Sequence, residues 1–235
     1  MVKYERNYLT EVSMKIEFEK DPRIIEEDCI KVFKEIFAEE FASTGFEKSI
    51  FKNGQFYNNL WVFQKRDKEI NLRDSSLELI YDIGAIPKDF NEVINDVTLI
   101  REALIENCIG ETKYMGLRYI NEINPSIKVE DWNEWINPDL VNLNFKTENS
   151  KLIRGMSKYE YEIDNFNINF QFGQYNINYP SPIIHDNFIL DYEVYINYEE
   201  TMYLKKHARE MHEIITEFFE KSIGDKLREN MGIIE

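Results

Sequence analysis

What most limits the fold of this chain is the strict alternation of apolar and polar residues in short stretches along its length. In "EVSMKIEFE", residues 11–19, Val12, Met14, Ile16 and Phe18 alternate with Glu11, Ser13, Lys15, Glu17 and Glu19. Successive side chains of a strand point to opposite faces, so this pattern predicts a strand with one face buried and the other in water. The period returns through Ile70, Leu72, Leu77, Leu79 and Tyr81, and again in "SKYEYEID", "FNINFQFGQYNINY" and "FILDYEVYIN". Half-buried strands of this kind belong to antiparallel sheets. "LWVF", residues 60–63, is apolar throughout and reads as a strand covered on both faces.

Helical spacing interrupts the strands at three places. Over 21–41 Asp21 is placed to cap, Pro22 suits the first helical position, and Ile25, Cys29, Val32, Phe33, Ile36, Phe37 and Phe41 form one stripe. A second helix is predicted in "PKDFNEVINDVTLIREALIENCIG", burying Phe90, Ile94, Val97, Ile100, Leu104 and Cys108 and stopping at Gly110. The last, in "EETMYLKKHAREMHEIITEFFEKSIGDKLREN", buries Met202, Leu204, Met211, Ile214, Ile215, Phe218 and Phe219 and breaks at Gly224. Strands carrying helices predict an α+β fold: two lobes of antiparallel sheet, each with an amphipathic helix on one face. The expected division is an N-terminal lobe 1–125, a connecting segment 126–150 with a helical turn at Trp132–Trp135, and a strand-rich C-terminal lobe 151–235 ending in the long helix.

Charge and composition narrow the function. The 235 residues carry a formal net charge of −16, and affinity for nucleic acid comes mainly from Lys and Arg displacing counterions, so direct nucleic-acid binding is not expected. No apolar run approaches the roughly 18 residues of a membrane span, the N-terminus lacks an apolar leader pattern, and Cys29 and Cys108 need no disulfide, so a cytoplasmic, non-membrane protein is expected.

Familiar chemistry is hard to find. In "HAREMH" the five-residue step from His207 to His212 turns the rings about 140° apart on a helix, so they cannot share one ion. The two read as exposed residues of a charged helix, and His185 beside Asp186 as a loop residue. The nine glycines do not have the spacing of a phosphate loop, and there is no G-x-S-x-G. Asp191 and Glu193 share a strand face opposite Leu190, Tyr192 and Val194 and read as a solvent-facing acidic stripe. Acids and bases interleave in "EEDCIKVFKE" and "KKHAREMHE", which makes a DNA-mimic inhibitor a minor alternative. No metal and no cofactor is expected.

The most informative stretch is "YMGLRYINEI", residues 114–123. Met115, Leu117, Tyr119 and Ile123 make an apolar face with Asn121 as its polar exception, and Tyr114, Gly116, Arg118, Ile120 and Glu122 make the other. A guanidinium on a covered sheet face needs a carboxylate or an anionic ligand. Tyr81, Asp82 or Asp191 could contribute to its surroundings, and Gly116 could leave room for a close approach. Candidate ligand-binding residues are therefore Arg118, Tyr119, Asn121 and Tyr81.

"GLRYINEI", together with "LWVF", "LELIYD" and the C-terminal "ILDYEVY…HEIITEFFEKSIGDKLRENMG", resembles a sporadically distributed bacterial family of similar length with a GLRYIN-type strand. The resemblance implies an accessory bacterial or phage gene product suited to conflict systems such as defence, counter-defence or toxin–antitoxin modules. It places its most distinctive signal on Arg118, Tyr119 and Asn121. The expected function is non-enzymatic binding of a protein or a small anionic ligand, with a homodimer compatible with the sequence. The alternative is a nuclease or nucleotide-processing enzyme whose site assembles only in three dimensions.

Overall fold

The structure, a computed structural model, describes residues 4–37, 43–47, 51–52, 55–56, 60–65, 68–82, 89–106, 112–125, 129, 131–141, 154–175, 187–197 and 203–233. In chain order the elements are β1 (Leu9–Phe18), α1 (Glu27–Phe37), β2 (Ser43–Glu47), β3 (Phe51–Lys52), β4 (Gln55–Phe56), β5 (Leu60–Lys65), β6 (Lys68–Leu72), β7 (Ser76–Asp82), α2 (Phe90–Glu106) and β8 (Thr112–Ile123). They continue with α3 (Pro138–Val141), β9 (Gly155–Ile163), β10 (Phe166–Tyr175), β11 (Asn187–Asn197), α4 (Leu204–Ser222) and α5 (Asp225–Met231). The chain is α+β, with antiparallel strands and several helices, as the alternation predicts. Phe41, Cys108, Gly110, His185 and Met202 lie outside the described residues.

Two compact units are present, and neither is a continuous stretch of chain. One comprises Glu11–Arg118 with Tyr195–His212, the other Met1–Thr10, Tyr119–Val194 and Glu213–Glu235.

In the unit built on Glu11–Arg118 the strand order is β2-β5-β6-β7-β1-β8. Opposite residues of an antiparallel pair share a face. Val12 lies opposite Tyr81, Met14 opposite Leu79 and Ile16 opposite Leu77, and all six are at most 3% exposed. On this face α2 turns inward Val93, Ile94, Val97, Ile100 and Ala103, a helical stripe that contains the predicted Ile94, Val97 and Ile100, while Phe90 is half-buried. The helix predicted to run from residue 21 is divided. Asp21 accepts from the Arg23 backbone N–H at 3.0 Å and shapes a 3-10 turn over Pro22–Ile25, Glu26 is extended, and α1 begins only after it. "LWVF" is covered less than predicted, with Phe63 buried and Leu60, Trp61 and Val62 half-exposed.

In the other unit the order is β8-β11-β10-β9. Phe166, Ile168, Phe170 and Phe172 of β10 and Phe188, Leu190, Tyr192 and Val194 of β11 are buried. Phe170 stacks on Tyr192 at 4.7 Å, and Phe218 of α4 stands edge-on to Phe170 at 6.4 Å, the arrangement ring quadrupoles favour. The helical turn at Trp132–Glu134 is present, and it is core rather than connector. Trp135 is 1% exposed, Ile136 bridges to Ile223, and the Gly224 N–H donates to the Trp135 carbonyl at 2.7 Å where α4 breaks before α5. The acidic stripe of β11 is a correction. Asp191 is only 7% exposed and Glu193 accepts from Asn169 Nδ2 at 2.8 Å, because β11 is covered on both faces rather than one.

The β9–β10 hairpin turns through Asp164 and Asn165, with Asp164 left-handed at φ 53°. Near its far end Gly173 has φ 151°, and a Cβ there would lie 2.0 Å from the Gly155 carbonyl oxygen. Gly173→Ala is expected to lower stability by about 3 kcal/mol in urea denaturation, against about 1 kcal/mol or less for Asp164→Gly, which relieves rather than adds strain.

Candidate functional site

In the unit built on Glu11–Arg118 the two sheet faces carry different chemistry. Tyr81, fully buried, donates its hydroxyl to the Asp96 carboxylate on α2, and Lys68 pairs with the same carboxylate with its ammonium 5.3 Å from the Tyr81 ring centre. Burial first, and then the Asp96 charge, raises the Tyr81 hydroxyl far above the ordinary phenol value. This group ties α2 to the sheet.

The opposite face carries Lys15 directly across from Glu78, and Glu17 across from Ser76. The Lys15 ammonium stands 5.8 Å from the Tyr114 ring centre, and Tyr114 stacks on Tyr195 at 5.4 Å. Tyr114, Gly116 and Arg118 share one face of β8, so Arg118 belongs to this polar side and Tyr81 to the helix side. The two candidates are therefore not brought together. Arg118 is half-buried and engaged by its surroundings. The space expected beside Gly116 is filled: a Cβ there would lie 2.5 Å from the Tyr114 hydroxyl oxygen.

Tyr119 and Asn121 belong to the other unit and share one face of its part of β8. Burial raises the Tyr119 hydroxyl, and Asn121, 5% exposed, donates to the Leu190 carbonyl at 3.5 Å. Asn121 is thus an interior residue, and Tyr119 is half-buried. On the same strand Ile120 accepts from Thr10 Oγ1 at 3.1 Å and Glu122 accepts from Asn187.

A concave site does exist, where the ends of β1, β7 and β8 meet the β6–β7 turn. It is a pocket of about 390 Å³. The turn Asp74–Ser75 is fixed by Arg73 N–H to the Ser76 carbonyl at 2.8 Å and Phe18 N–H to the Ser75 carbonyl at 3.0 Å. Asp74, its side chain 8% exposed, takes Lys20 at 3.1 Å outside the pocket lining. Arg73, Ser75 and Ser76 thereby line the pocket with Lys15 and Lys113, and Glu17 and Glu78 oppose them. Lys15 pairs with Glu17, and Lys113 with Glu19 at 2.9 Å, a hydrogen bond that holds the Glu19 carboxyl below the usual range. Arg73 makes no ion pair among the described residues.

None of Arg118, Tyr119, Asn121 and Tyr81 lines this pocket. The residues that do were signalled only by "NLRDSS", a basic and hydroxyl-bearing turn between two alternating stretches. His207 and His212 differ from expectation in being half-buried rather than exposed. His207 contacts Glu210 at 3.0 Å, and His212 stacks on Phe90 at 4.2 Å with its pKa lowered by burial against the opposing charge of Asp89. Among the described residues no group of three or more His, Cys, Asp or Glu is placed to hold a metal ion, and no helix is long and apolar enough to cross a membrane. No protein-family model matches the chain, and no curated protein matches it.

Two outcomes are expected. Tyr81→Phe should cost about 1 kcal/mol in urea denaturation, since the Lys68–Asp96 pair survives, whereas Asp96→Ala should cost about 3 kcal/mol by leaving an enclosed ammonium without its carboxylate. Stability should also fall under alkali. Tyr4 is pushed up to about 12, by burial and then by its bond to Glu220, and Tyr81, Tyr119 and Tyr192 are raised as well. A raised folded-state pKa gives stability that is complete below the unfolded value of about 10 and is lost above it, so the urea midpoint should hold between pH 8 and about 9.5 and drop above pH 10.

Proposed function

We propose that the chain is a non-enzymatic binding protein of a bacterial or phage conflict module, which takes a small anionic ligand in the pocket at the ends of β1, β7 and β8. The observation that carries the binding is Arg73: it lines a 390 Å³ pocket together with Ser75 and Ser76, with no carboxylate paired to it among the described residues. A planar cation next to two hydroxyl donors suits a carboxylate or phosphate group, which it can bind bidentately. Lys15 and Lys113 reinforce the positive side, and Glu17 and Glu78 would repel ligands with charge on their far end, favouring singly anionic groups. The biological setting is supported by the GLRYIN-type resemblance over Gly116–Asn121. Arg118 has a structural part in this reading, because it lies about 13 Å along β8 from Tyr114, beyond the pocket lining.

The test is thermal-shift screening with inorganic phosphate, acetate, citrate and nucleoside monophosphates, on the natural chain and on Arg73→Ala. At least one anion should raise Tm in the natural chain, with the shift lost in Arg73→Ala and kept in Arg118→Lys. Chromatography of the ligand after incubation should return it unchanged. Consumption of the ligand would favour the enzyme alternative, and an unshifted Tm across the panel would defeat the anion reading.

A further inference from the structure

We infer that β9 is a self-recognition edge, on which β9 of a second copy adds in antiparallel register about a two-fold axis at Tyr159. β9 stands last in its strand order and among the described residues pairs with β10 alone. An edge strand presents unpaired backbone N–H and C=O groups, and proteins usually protect it with bulges, prolines or short length. β9 is nine residues long, has no proline, and exposes Met156, Tyr159, Tyr161 and Ile163 at 37–43%.

Backbone geometry and charge select the occupant. The two-residue turn closes on the facing pair Ile163 and Phe166. Tight hairpins of this kind close on a hydrogen-bonded pair, so alternate residues 163, 161, 159, 157 and 155 direct their backbone groups to β10, and 156, 158, 160 and 162 direct theirs outward. A two-fold axis at Tyr159 sets Lys158 opposite Glu160 of the second copy, and the reverse, so that outward residues meet outward residues. The same register sets Gly155 opposite Ile163 and uses all nine residues. Moving the axis to Glu160 shortens the match to seven residues and sets Glu160 against its own copy, like charges directly opposed. Within one chain Lys158 contacts Glu160 at 2.9 Å, with both side chains at least half exposed, so the facing pairs of the two-fold register lie in a solvated setting. On the helix side Tyr159 lies flat on Phe172 at 5.6 Å and Tyr161 edge-on to Phe218 at 5.5 Å, which fixes two rings in position for the added strand to cover. Charges that ordinarily deter edge pairing here match one partner, the same strand of another copy.

Sedimentation velocity of the full chain should show a concentration-dependent dimer. Lys158→Glu should shift its dissociation constant upward by about tenfold, and Lys158→Glu/Glu160→Lys should restore it. In a Cys29→Ser/Cys108→Ser background, Tyr159→Cys should form a covalent dimer under mild oxidation, because the axis brings that position against itself. Tyr161→Cys should not, since it faces Ser157 of the second copy and lies about 13 Å from its own counterpart. Unchanged circular dichroism and urea midpoints confirm that each variant folds. A chain that stays monomeric up to about 100 µM, a charge swap that fails to restore association, or equal cross-linking at 159 and 161 would overturn the inference.

Discussion

Opposite residues of an antiparallel pair lie on the same side of the sheet, and in the pairing of β1 with β7 that rule decides almost everything else in the unit built on Glu11–Arg118. It gathers Val12, Met14, Ile16, Leu77, Leu79 and Tyr81 on one side and Lys15, Glu17, Ser76 and Glu78 on the other. The apolar side must be covered, and α2 covers it, tied down by the Tyr81–Asp96–Lys68 cluster. The polar side is left to chemistry. A register slip of one residue would exchange the two sets, so the hydrophobic side holds the pocket residues in place although it contributes none of their charge.

This division makes sense of the arginines. Arg118 draws attention because it interrupts an apolar strand, yet it sits on a half-buried face among residues that engage it. Arg73 attracts none, because a basic residue in a polar turn looks ordinary. In the folded chain Arg73 lines a concave space and makes no ion pair among the described residues. Burial in a strand and availability to a ligand are separate properties, and a strand's alternation reports only the first.

The sequence was most informative where one periodicity governs a whole element. The strands, the stripe on α2, the turn at Trp132 and the break at Gly224 all follow from local patterns of apolar spacing and backbone freedom. It was least informative where burial depends on residues distant in sequence. Asp191 and Glu193 look solvent-facing on β11 but are covered, His212 is stacked beneath Phe90, and the Trp135 segment, which reads as a linker from its Pro and Asn content, packs against Ile223 and Gly224. The pocket is of the same kind. Its lining comes from two strand ends, a turn and the start of β8, and no single stretch contains enough of it to be recognised.

The interleaving of the two units has a consequence for biosynthesis. One unit takes residues 195–212 and the other residues 213–235, both from the last fifth of the chain. A nascent chain released from the ribosome tunnel in order therefore cannot complete either unit until residues 195–235 have emerged. Contacts this remote in sequence also carry a high loop-closure cost before they stabilise anything, which slows folding and leaves half-made sheets exposed. A message truncated before residue 195 would yield no independently finished half.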